Sequence, residues 1–122
     1  MDKINEINKF ISKELWFDFE IKSFDGGTLI IVGGLDLYYN WLIELTFTNV
    51  AFVSLKSDWK SNDKLNSLEI LSGEKEKLIK ILYLIDESYS IFAFNHKDVD
   101  ANSTNQYLIA SDKIEYKINK TQ

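Results

Sequence analysis

The residues with the most chemical potential stand close together in the last third of the chain. Asp98-Val99-Asp100-Ala101-Asn102-Ser103-Thr104 places oxygen donors at alternate positions, a spacing that can converge on a hard cation such as calcium. The match to a calcium-binding loop then fails. Its sixth position is Ser103 rather than Gly, and its twelfth is Ile109 rather than a bidentate Glu. A solvated Asp/Asn turn is the better reading, and no metal or other cofactor is expected. His96, the only histidine, precedes Asp98 by two residues, and an imidazole oriented by a carboxylate is a common general base. Ser88, Ser90 and Ser103 are the nearby hydroxyls, but no nucleophile-elbow glycines or paired metal spacing accompany them. No catalytic residue is assigned on this pattern, and His96 and Asp98 are kept as candidate ligand-binding residues.

Other motifs carry less. Asp18 and Glu20 share one face of an alternating segment, where paired carboxylates are normally solubility features. Gly26-Gly27 and Gly33-Gly34 lack the spacing and the following helix of a phosphate-binding loop. The aromatics are harder to set aside. Tyr38-Tyr39-Asn40-Trp41 puts rings on both sides of one extended segment, and Trp59 lies between Asp58 and Lys60 in the most polar stretch. Tyr and Trp are the usual anchors of protein interfaces, which makes Trp59, Asp58, Tyr38 and Tyr39 candidate partner-binding residues. The competing reading has Trp59 folding back as a lid over a sheet edge and Tyr38 covering a helix.

Composition narrows the chemistry further. All 14 basic residues are Lys, against 19 acidic ones, and Cys and Pro are absent. Disulfides, thiol nucleophiles, Cys-based zinc sites and arginine forks are therefore excluded. The net charge of −5 argues against nucleic acid or an anionic membrane as partner, since phosphates require a basic patch. The longest apolar run, Ile81 to Ile85, is far short of the roughly 20 residues that span a bilayer. The amino terminus has no apolar signal region, so a cytoplasmic location is expected. At 122 residues, one domain over 1–122 is expected.

The elements that must position these residues follow from periodicity. Ile4, Ile7, Phe10, Ile11 and Leu15 recur at helical steps behind Asp2, a ready cap. The period then switches to two, with Phe17, Phe19 and Ile21 alternating with Asp18, Glu20 and Lys22. Asp25-Gly26-Gly27 turns this strand into Thr28 to Val32. Leu35 to Phe47 keeps one parity over so long a run that a bend near Tyr38-Tyr39-Asn40 is expected. Asn49 suits a turn into Val50 to Leu55, and Lys56 to Asn66 reads as a surface loop. Leu68 to Leu71 is a short strand. Ser72 then caps a helix with Leu78, Ile79, Leu82 and Ile85 as its buried side, although Ile81 to Ile85 suits strand equally well. Ser90 to Phe94, Gln106 to Ala110 and Lys113 to Lys117 are strands. The expected class is α+β, a mainly antiparallel sheet of about six or seven strands with an N-terminal and a central helix.

Leu29 to Tyr39, continuing through Leu42 to Phe47, together with Tyr107 to Ser111, resembles small uncharacterised bacterial domains. Some domains of that kind are immunity partners in toxin systems, and the resemblance implies binding of a cognate protein. The leading expectation is a non-catalytic cytoplasmic protein-binding module, an inhibitor or immunity-type partner, whose acidic surface suits a basic protein. The alternative is a small-ligand binding protein or uncommon hydrolase, with His96 and Asp98 at the rim of a sheet-lined aromatic pocket. A homo-oligomer burying its surplus aromatics against a second copy is the third.

Overall fold

A computed structural model describes residues 2–14, 17–35, 41–61, 67–97 and 104–119. In chain order the elements are α1 (Lys3–Ile11), β1 (Phe17–Asp25), β2 (Thr28–Gly34), β3 (Ile43–Thr48), β4 (Phe52–Ser54), β5 (Asp58–Ser61), β6 (Leu68–Ile70), α2 (Gly73–Leu82), β7 (Ser90–Lys97), β8 (Thr104–Ser111) and β9 (Lys113–Ile118). The α+β class with antiparallel pairing is as expected. The strands, however, divide into two sheets, ordered β5-β1-β2-β3-β9 and β4-β8-β7-β6.

The inner faces of both sheets share one core. Phe17, Phe19, Leu45 and Phe47 meet Leu68, Phe92, Phe94 and Ile109, with Phe19 and Phe94 at 5.3 Å and Phe47 set edge-on to Phe92 at 5.3 Å. Such offset ring pairs add to the area term. Gly33 is part of this packing, because a Cβ there would come within 2.6 Å of the Phe19 ring. The Gly33 backbone thus approaches the core closely, which is why β2 carries no side chain at that point.

α1 begins where Asp2 accepts a hydrogen bond from the Ile4 amide at 2.9 Å, and it buries Ile4, Ile7 and Ile11 in the same core. Its Asn8 amide both donates to the Leu68 carbonyl and accepts from the Leu68 N–H, as a neighbouring strand would. Lys3 pairs with Glu115 at 2.9 Å, and Tyr116 donates to Glu6 at 2.6 Å. The helix is therefore tied to the edge strands β6 and β9.

The β1–β2 turn has Gly26 and Gly27 at φ of 60° and 82°, the left-handed region that a tight hairpin needs. Asn49 also takes a positive φ, 53°, and donates to Asp112 at 2.6 Å. Only Asp112 separates β8 from β9, so one nearly continuous strand passes from one sheet to the other at this corner.

Several expectations need correction. Lys56 to Asn66 is not wholly a loop, since β5 lies within it and pairs with β1. That strand contributes to a total of nine among the described residues, against the six or seven expected. Ile79 of α2 and Ile85 just beyond it face the second core, with Ile91, Ala93 and Ala110 on the outer side of the four-stranded sheet. Leu78 and Leu82, expected inside, are exposed, and Lys80 is buried instead. Periodicity selects the Leu78/Ile81/Leu82 stripe, but the helix docks through Ile79, about 100° round from Leu78, and leaves that stripe in water. Ser72 occupies the cap position without making a side-chain cap hydrogen bond.

Candidate functional site

The pairing of β1 with β5 sets Asp18 opposite Lys60, Phe19 opposite Trp59 and Glu20 opposite Asp58. Side chains alternate across a strand, so one register decides both faces. Inward, Phe19 and Trp59 stack at 5.7 Å, and the indole also meets Phe94 at 5.0 Å and Tyr107 at 5.3 Å. The outward-facing Asp18, Glu20, Asp58 and Lys60, with Lys56, border a groove of about 430 Å³ at this sheet edge, whose lining also includes Trp59, Tyr107 and His96.

Trp59 is only 5% exposed. The expectation of a Trp anchor projecting from a polar loop is corrected here. Alternation along β5 turns the ring inward, and the lid-like alternative describes it better. Among the described residues its indole N–H has no acceptor, and a buried donor without one costs free energy.

Asp58 remains outside, directly across from Glu20. Opposed like charges on neighbouring strands are destabilising, whereas Asp18 and Lys60 form the favourable kind of pair. Among the described residues no ion pair relieves either Glu20 or Asp58. The Asp18/Glu20 pattern was legible in the sequence, but the partner that matters to Glu20 is Asp58, and only the register shows it.

His96 closes one end. Its Nδ1 lies 2.7 Å from the Lys60 carbonyl oxygen. A carbonyl can only accept, so Nδ1 carries the proton, and in the neutral ring Nε2 holds a lone pair. The imidazole stands 6.2 Å from the Tyr107 ring. No serine completes a catalytic set with it among the described residues. Ser90 starts the strand that carries His96 near its other end, roughly 20 Å away at strand rise, and the Ser88 hydroxyl donates to Asp86 at 2.6 Å.

The structure thus brings Asp58, Trp59 and His96 to one groove, although they were assigned to two different expectations. Tyr38, Tyr39 and Asp98 lie outside the described residues, as does most of the Asp98–Thr104 motif. Trp41, from the same aromatic run as Tyr38, is half-buried, with the Lys22 ammonium 4.5 Å from its ring. Among the described residues no group of three His, Asp or Glu side chains is placed to hold a metal, and no helix is long and apolar enough to cross a membrane. No protein-family model matches the chain, and neither does any curated protein or solved structure.

Proposed function

We propose that this protein is a non-catalytic, cytoplasmic protein-binding module, an inhibitor or immunity-type partner, that receives a basic side chain of its partner in the groove beside β5. The observation that carries the proposal is the opposition of Glu20 and Asp58. Two carboxylates set across from each other weaken the sheet edge, and a cation from outside reverses the sign of that interaction. The aromatic wall of Trp59 and Tyr107 suits the apolar stem of a Lys or Arg, and the net charge of −5 steers a basic protein toward the chain.

The test is calorimetric titration of a short Arg-rich peptide into the protein at low and high salt. Salt-sensitive binding that disappears in the Glu20→Gln/Asp58→Asn double variant is expected. Equal binding by the variant and the parent overturns the assignment.

A second reading rests on the His96 lone pair, which gives the groove an acceptor for a small neutral ligand. It expects a thermal shift with a member of a metabolite panel, lost in His96→Phe and retained in the double variant.

A further inference from the structure

Beyond the groove, the outward side of α2 is the least ordinary surface of the molecule. Leu78, Ile81 and Leu82 are 65%, 68% and 70% exposed, and Leu84, just past the helix, is 92% exposed. At about 100° per residue, the first three share one helix face, with the i, i+3, i+4 spacing of a helix–helix seam. Their exposed area with Leu84 and Tyr83 comes to several hundred Å², at the upper end of what a lone soluble protein presents.

The helix end adds a second, independent oddity. The Ile85 N–H donates to the Lys80 carbonyl at 2.8 Å and the Leu84 N–H to the Ile81 carbonyl at 3.4 Å. These are the two bonds of a Schellman cap, in which Leu84 occupies the position normally given to glycine. Leu84 accordingly has a φ of 55°, which strains a side chain with a Cβ. The cap turns Ile85 back onto the core beside Ile79, so the bend itself is explained. A leucine there is not, because its side chain ends in water.

We propose that this face is the interface of a two-fold homodimer, with α2 of one copy packed against α2 of a second. Two features select a second copy as the occupant. The exposed charges of this segment nearly cancel, Lys75 and Lys77 against Glu74, Asp86 and Glu87, while the Glu76–Lys80 pair at 2.8 Å lies on the other side of the helix with Lys80 buried. Two chains of net charge −5 therefore meet here without the repulsion that other surfaces impose, while a strongly basic or acidic partner finds little to hold. The apolar area is also of the size class that matters, since a standard interface buries about 800 Å² per partner with an apolar centre and a polar rim. A two-fold axis lets one stripe serve both sides of the contact.

The test is the solution mass of the full chain over a range of concentrations, by light scattering and sedimentation. Twice the chain mass of 14.2 kDa is expected for the parent. Leu82→Glu should weaken the dimer by roughly 100-fold or more and keep the circular dichroism spectrum, because its side chain is already in water in the single chain. The chain has no cysteine, so Leu82→Cys provides a unique cross-link, and oxidation should join two copies through it. A parent at single-chain mass throughout overturns the proposal, and so does a dimer that survives Leu82→Glu. Single-chain mass combined with sedimentation on zwitterionic vesicles would assign the face to a lipid surface instead.

Discussion

Glu20 stands directly across from Asp58 at the sheet edge, two carboxylates where opposite charges would strengthen the pairing. Neutralising either should raise stability while lowering affinity for a basic ligand. Glu20→Gln is expected to gain about 0.2–1 kcal/mol in urea unfolding at low salt, a gain that shrinks at high salt. A loss of stability would show that the pair is relieved within the chain.

Trp59 provides a sharper contrast. Trp59→Ala should cost about 3–5 kcal/mol, the range for removing a large buried ring. Trp59→Phe should cost clearly less, since it also deletes the unpartnered indole N–H. Equilibrium unfolding reads both. A change within about 0.5 kcal/mol for the alanine variant would mean a surface residue.

Leu84→Gly relieves the left-handed backbone at the end of α2 and removes an exposed leucine. In dilute protein, where single chains dominate, a gain of about 1 kcal/mol is expected in chemical unfolding. At high concentration the same variant should lose part of the parent's association, so stability and assembly move in opposite directions.

The docking of α1 onto β9 should be sensitive to pH from both sides. The hydrogen bond and charge of Lys3 hold the Glu115 carboxyl below its ordinary range. Its contribution is present above the unfolded carboxylate pKa and is lost as pH falls through the lowered folded value. The hydrogen bond to Glu6, followed by desolvation and the Glu6 charge, raises the Tyr116 phenol above its usual value. That contribution is present below about pH 10 and is lost as pH rises through the raised folded value. Tyr116→Phe should therefore flatten the alkaline limb of the thermal midpoint profile and leave the acid limb in place. The Lys3–Glu115 pair is exposed and the Tyr116–Glu6 contact only part-buried, so added salt should reduce the first effect more than the second.

Much of the scaffold was legible because it is locally encoded. Asp2 and the Ile4/Ile7/Ile11 spacing specify α1, and the change of period at Phe17 specifies β1. Asp25-Gly26-Gly27 specifies a hairpin through the positive φ its residues tolerate. Each of these signals lies within a few residues of the structure it produces, and together they determined the class, antiparallel α+β.

The tertiary structure decided what local signals could not. β5 is four residues long with one apolar side chain, too short to show a period, and it exists by pairing with a strand about forty residues away. That pairing buries Trp59 and sets Asp58 against Glu20. The docked side of α2 was not legible either, because periodicity selects the Leu78/Ile81/Leu82 stripe, whereas contact with the outer side of the four-stranded sheet takes Ile79 and leaves that stripe exposed. Periodicity reports which residues can share a face; which face meets the core depends on the partner that the rest of the chain supplies.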